Sequence, residues 1–302
     1  MGFFPNSVNF EKSLKLQNRE ESMKRFYFKP YLIVFLTVTI IFTSALLIAA
    51  CASNPFTGKS TMAFVDNDTL MASSFTQYRE FLNENTVITG TADAAMVTRI
   101  GNRIRMAAER WAASEGQKQY LDTYQWEYNL VKSNEVNAWC MPGGKIVVYT
   151  GILPVTKDET GLAVVMGHEV AHALLNHGQQ RVSAGILQEL GATGLSIFTQ
   201  NQSQETQALA MTVYGAGSNV FGILPYSRSH ESEADQIGLI LLAIAGYNPE
   251  MSVNFWERMA ALSGGGTPEF LSTHPSDATR ISNLKKWVPE ARQKAEKIGI
   301  IP

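Results

Sequence analysis

The chain has 302 residues, 45% of them hydrophobic and 17% charged, enough to build one sizeable globular domain or two small ones. A formal net charge of −2 gives no sign of nucleic-acid binding. All five histidines fall between His168 and His274, and the two cysteines are Cys51 and Cys140.

Lys24, Arg25 and Lys29 precede an uncharged apolar run, Tyr31–Ala50, which closes on Ile48-Ala49-Ala50-Cys51. An apolar residue, two small residues and a cysteine resemble a bacterial lipobox. The resemblance implies cleavage before Cys51 and lipid on its thiol, with residues 1–50 as a lipoprotein signal peptide. A plain membrane anchor is the alternative, since about 20 apolar residues span a bilayer. Met23-Lys24-Arg25 opens a more usual signal, so Met23 is an alternative true start. Ala52, not Asp, follows the cysteine, which by likeness to Gram-negative sorting favours the outer membrane. Lipid on Cys51 leaves Cys140 without a disulfide partner, as a small buried apolar residue.

Residues 51–66 read as a lipidated tether, with turn chemistry in Asn54-Pro55-Phe56-Thr57-Gly58. Residues 67–302 then form one domain. Asp68–Asn83 and Ala92–Ala113 have helical periodicity. Tyr124–Val131, Glu135–Trp139 and Ile146–Tyr149 read as strands, the last two joined by a hairpin at Pro142-Gly143-Gly144. Thr160–Gly178 is helical, with Gly178 as left-handed cap and His177 at the favourable C-terminal end of the dipole. Val182–Gly222 gives two loosely specified helices, too rich in Gln and Glu for a membrane span. Ser227–Ala245, Pro249–Leu262, Ser276–Trp287 and Pro289–Ile298 are further helices, and Gly264-Gly265-Gly266 is a flexible break. The fold class is therefore α+β, mostly helical, with a small sheet next to the helix that carries His168-Glu169-Val170-Ala171-His172.

That pentapeptide is the most informative feature. Residues four apart share a helix face, so His168 and His172 can offer two imidazoles to one cation. Glu169 sits at the edge of that face as a base. This is the HExxH arrangement of a zinc hydrolase; the alternative is a chance match on an ordinary helix. Catalytic zinc needs a third ligand. Positions 175 and 178 are Leu and Gly, which excludes the pattern with a third His ten residues after the first. His177 lies about 140° around the helix from His172 and is read as a cap residue. Glu231 and Asp235 share a face of a later helix, so one can bind metal while the other accepts a hydrogen bond from a ligating imidazole; a solvated acidic face is the alternative. Glu233 points away from both, and His230 is read as a surface residue.

Taken together, these motifs resemble the HtpX/CAAX-prenyl-protease family of gluzincin metallopeptidases, in its bacterial envelope lipoprotein branch. The resemblance rests on Asn54-Pro55-x-Thr57-Gly58, Asn137-Ala138, Pro142-Gly143-Gly144, the HExxH, Leu224-Pro225-Tyr226-Ser227-Arg228 with Glu231, Ala234 and Asp235, and Thr273-His274-Pro275 with Arg280. It covers roughly Asn54 to Arg280. It implies a zincin-like fold and one Zn²⁺ per chain, held by His168, His172 and Glu231 and supported by Asp235. It also implies an endopeptidase with Glu169 as base. In similar proteins the counterpart of His274 caps the open zinc position, or it donates to the oxyanion; a simple loop histidine is the bland alternative. Arg280 is its neighbour. An edge strand at Asn137 and Ala138 would pair with extended substrate, which favours unfolded or misassembled envelope proteins; an assembly factor with a silent zinc site is the rival reading. Trp139-Cys140-Met141 departs from the family pattern. The chain also ends at Pro302 without a tetratricopeptide array, so partner docking of that kind is not carried over.

Overall fold

The computed structural model describes residue 37 and residues 51–219, 224–262, 269–274 and 278–300. Apart from residue 37, the apolar run and the signal expected there lie outside the described residues, as do the Gly264–Gly266 break and Pro275. No helix among the described residues is long and apolar enough to cross a membrane. The chain divides after Cys51, and the architecture from Ala52 onward belongs to one unit.

That unit opens on a ribbon, β1 (Cys51–Ser53) with β2 (Ser60–Met62). Its turn forms because the Asn54 Oδ1 accepts from the amides of Phe56 and Thr57 at 2.9 and 3.2 Å. Phe56 stacks on Trp111 at 4.5 Å between centroids, which fixes the ribbon to the domain. Helix α1 (Asn67–Glu84) starts where Asp66 accepts from Thr69 N, and α2 (Ala92–Ser114) where Thr91 accepts from Ala94 N. Val97, Ile100, Ile104, Ala107, Ala108 and Trp111 form the buried stripe of α2.

Four short strands follow: β3 (Val87–Ile88), β4 (Glu127–Val131), β5 (Ala138–Met141) and β6 (Lys145–Tyr149), in sheet order β3-β4-β6-β5. The β5–β6 hairpin turns where sequence places it, with Met141 opposite Lys145 and both Gly143 and Gly144 at φ +83. β4 runs parallel to β6, so β5 is left at the edge. β5 begins later than the expected Glu135. Residues 134 and 135 instead press against Gly151, where an added Cβ would lie within 2.5 Å of their carbonyls.

After a short helix, α3 (Leu153–Thr156), comes α4 (Glu159–Leu174), which carries the HExxH. Asp158 caps it by accepting from Gly161 N at 2.8 Å. Every residue from Gly161 to Leu174 is buried, so α4 is the central helix of the domain. It packs on α2, on β5, on α7 (Leu224–Ile244) and on α8 (Met251–Ala261). Helices α5 (His177–Thr199) and α6 (Gln204–Ser218) form a hairpin that exposes Leu190, Ile197, Phe198, Leu209 and Val213. α9 (Glu269–Thr273) and α10 (Ala278–Lys297) complete the chain. α10 runs through Pro289, where sequence suggests a break. Pro289 and Lys285 are both exposed, so the carbonyl that Pro289 cannot bond is left to solvent. The architecture is mostly helical α+β with a small mixed sheet against the central helix, as the sequence predicts.

Candidate metal centre

α4 and α7 can approach closely because glycines meet at their crossing. A Cβ on Gly238 would lie 3.2 Å from His168 Cα, and one on Gly167 would lie 3.3 Å from Gly238 O. The contact holds His168 against the face of α7 that carries Glu231, Ala234 and Asp235. A third piece of chain, at the end of α9, brings His274 to the same point.

His168 Nε2 lies 3.1 Å from His172 Nε2 and 3.2 Å from His274 Nδ1. Glu231 Oε2 lies 3.3 Å from His168 Nε2 and 2.8 Å from His274 Nδ1, and Glu231 Oε1 lies 3.2 Å from His172 Nε2. Zinc bonds of about 2.0–2.1 Å in a tetrahedron separate the ligand atoms by ~3.3–3.4 Å, so this donor set fits one such ion. All four residues are buried, and their donor atoms lie within 4.8 Å of one another. Three nitrogens and one carboxylate oxygen suit zinc better than calcium or magnesium, which prefer all-oxygen sets.

Glu169 lies beside the cluster. Its Oε1 is 3.3 Å from His274 Nε2, yet that pair is poorly aligned, and this buried oxygen has no hydrogen-bond partner among the described residues. A buried carboxylate oxygen left unpaired at such a place is available to a proton brought in by a ligand.

A second layer orients the rings. Asp235 Oδ1 lies 3.0 Å from His168 Nδ1 and accepts from Arg280 Nη2 at 2.6 Å. The Arg280 guanidinium sits 3.3 Å above the Trp256 ring and donates to the His274 carbonyl at 3.3 Å. Burial works against charge on His168, but the Asp235 and Glu231 carboxylates outweigh it and raise its pKa to about 9. Burial pushes the His172 pKa well below the ordinary histidine value. Burial also disfavours charge on Glu231, but hydrogen bonds from His168, His172 and His274 hold its carboxyl well below the usual carboxylate range. These shifts leave Glu231 ionised and His172 neutral, the forms a divalent ion needs, whereas His168 must release its proton to bind one.

Two sequence expectations need correcting. His177 is not a C-terminal cap: α4 stops at Leu174, Asn176 takes the left-handed turn at φ 56, and His177 begins α5, fully buried. Gly178 already lies inside that helix. His230 is not a surface residue. It is 4% exposed, lies 2.9 Å from Gln180 Oε1 through its Nε2, and stacks on His177 at 4.1 Å between centroids. Nothing in the local pattern marks this pair, because the two rings come from helices 53 residues apart in the chain. Ala138 begins the edge strand beside α4 and Asn137 immediately precedes it, with its Oδ1 accepting from Ala138 N. Cys140 is half-buried in that strand, and burial holds its thiol pKa well above the ordinary value. The side chain of Cys51 lies outside the described residues.

The sequence model of peptidase family M48 matches residues 99–288, a stretch that contains the whole cluster. A mitochondrial metalloendopeptidase OMA1 of Schizosaccharomyces pombe is 36% identical over 182 residues, which are 58% of this chain and 50% of that protein. The OMA1 of Saccharomyces cerevisiae is 35% identical over 181 residues, 57% and 50% of the two chains. The β-barrel assembly-enhancing protease of Escherichia coli is 30% identical over 171 residues, 54% of this chain and 34% of that one. The matched region thus spans half or less of these relatives' own lengths.

Proposed function

Since the chain belongs to peptidase family M48, we propose that it is a zinc-dependent endopeptidase, with one ion per chain held by His168, His172 and Glu231. The observation that carries this reading is the buried donor cluster with the unpaired Glu169 Oε1 beside it. When bound, the cation supplies Lewis acidity toward the scissile carbonyl and toward the attacking water. Glu169 takes the proton of that water and delivers it to the leaving amine. Asp235 keeps the His168 ring oriented, with Arg280 balancing its charge. An extended substrate aligns along the edge strand at Asn137 and Ala138, and pairing through backbone groups tolerates many side chains. This supports unfolded or misassembled proteins as substrates.

His274 occupies the fourth donor position, where substrate would have to enter. We assign it the role of a cap that leaves the enzyme latent until the segment carrying it moves. That placement also favours a second reading, an assembly factor whose zinc site stays silent.

The compartment follows from the N-terminus. The likeness of Ile48–Cys51 to a lipobox, which would put lipid on Cys51, supports an anchor in the bacterial envelope, and the similarity to a bacterial β-barrel assembly-enhancing protease supports that compartment. The mitochondrial relatives match 57–58% of this chain and the bacterial one 54%.

Glu169→Gln is the deciding variant. It retains stoichiometric zinc and loses casein cleavage by at least about 10²-fold if the peptidase reading holds. Cellular function that survives this change would favour the assembly factor. Wild-type protein without zinc would end both.

A further inference from the structure

His172 carries its own supporting chain, separate from the Asp235–Arg280 pair behind His168. When Nε2 binds the cation of the proposed reading, the proton of the neutral ring belongs on Nδ1. That Nδ1 lies 2.8 Å from His177 Nδ1. An imidazole that accepts on Nδ1 carries its proton on Nε2. His177 Nε2 lies 3.4 Å from Glu233 Oε2. The other oxygen of Glu233 accepts from Lys59 Nζ at 2.5 Å and from Ser229 Oγ at 3.2 Å. Each ring then donates one hydrogen bond in the same direction, from His172 to His177 to Glu233.

The ring of His177 is held firmly for this task. It is fully buried and lies 12° from parallel with His230, which Gln180 holds through its side-chain oxygen. Gln180 in turn donates to the Leu175 carbonyl at 2.7 Å, on the turn that follows α4. A carboxylate usually sits directly on the far nitrogen of a ligating imidazole, as Asp235 does for His168. Here an imidazole is interposed, and the carboxylate is tied to Lys59, in the connection between the two ribbon strands.

We propose that His177 is a positioning residue. It fixes the tautomer and orientation of His172 and relays to it the negative charge of Glu233. The inference rests on the zinc reading above, but its readout is metal affinity rather than turnover.

The test is the zinc dissociation constant of the full-length chain in detergent, measured by competition with a chromophoric chelator. His177→Phe keeps a planar ring against His230 and removes the acceptor. We expect it to weaken zinc binding by about 10–100-fold. His177→Gln restores a neutral acceptor and should stay within about threefold of wild type. Cobalt-substituted His177→Phe should show a shifted visible absorption band, which a loss of packing alone would not produce. Glu233→Gln, at a partly exposed position, should weaken zinc by about tenfold even if His177→Phe fails to fold.

The inference is overturned if His177→Phe binds zinc within threefold of wild type, if His177→Gln loses as much as His177→Phe, or if Glu233→Gln leaves the affinity unchanged. A wild type that takes up no zinc would sink the parent reading as well. A wild type that binds zinc and cleaves casein, beside a His177→Phe that binds as tightly, would sink this inference alone.

Discussion

Gly238 presses on the backbone of His168: a Cβ there would stand 3.2 Å from both its N and its Cα. The atoms opposed are helix backbone, not the end of a flexible side chain, so accommodation requires α4 and α7 to separate. Alanine would otherwise favour the helix by about 1 kcal/mol. We expect overpacking to win, with Gly238→Ala destabilising the domain by about 1–3 kcal/mol in urea unfolding under chelator. Zinc affinity should fall too, because Glu231 rides on the displaced helix. A variant more stable than wild type would show that the crossing has slack.

In the proposed reading His274 competes with substrate for one position of the centre, since its Nδ1 lies among the clustered donors. If the capped form holds about nine molecules in ten, removing the cap raises the competent fraction about tenfold. His274→Ala should therefore cleave casein faster, by on the order of tenfold, at unchanged zinc content. An oxyanion donor would behave in the opposite way, and its loss would slow cleavage by about 10²-fold or more. The initial rate on one unfolded substrate separates the two roles.

Arg280 joins buried groups that cannot easily stand alone. Asp235 is 4% exposed and takes a 2.6 Å hydrogen bond from the guanidinium, which also covers the Trp256 ring. Arg280→Ala leaves that carboxylate without its cation and should cost about 3–5 kcal/mol. Arg280→Lys keeps the charge but cannot stack and fork at once, so it should recover only part of the loss. Unfolding in urea of the zinc-loaded and chelated proteins checks both.

The candidate metal site was readable in part in the sequence because some of its chemistry is local. His168, Glu169 and His172 lie within five residues, so spacing alone proposes their geometry; Glu231 and Asp235 share one helix face, which spacing alone reads equally as a solvated acidic face, and the family resemblance singles out Glu231. Pro142-Gly143-Gly144 announced its hairpin through turn chemistry. What supports that site was hidden, because it is made by distant segments. His177 and His230 look like polar residues at a helix end and on a surface, and only the packing of α5 against α7 buries them together. Gly167 and Gly238 carry no signal as a pair, since a glycine inside a helix normally reads as a weak point. The strand order was hidden for a related reason: β6 inserts between β4 and β5, a pairing set by the crossing of the chain and not by the hairpin.

His230 gives the fold a dependence on pH. Burial, with the neighbouring His177 adding to it, lowers its pKa to about 3, against 6.5 for the free side chain. Below pH 6.5 the unfolded chain therefore binds a proton that the native chain refuses. The stability this group supports is complete above about pH 6.5 and is lost progressively as pH falls toward 3. This one residue can lower the folding equilibrium constant by up to about tenfold per pH unit in that window. His172 and His177 are lowered as well and act with the same sign, so the comparison must be between variants. In chelator, urea unfolding of wild type from pH 7.5 to 5 should lose stability more steeply than unfolding of His230→Gln. The range stops short of the region where Glu233, lowered to about 2 by His177 and Lys59 against the effect of its burial, contributes its own loss in acid. Parallel profiles for the two proteins would mean that His230 is as easily protonated in the native state as in the unfolded one.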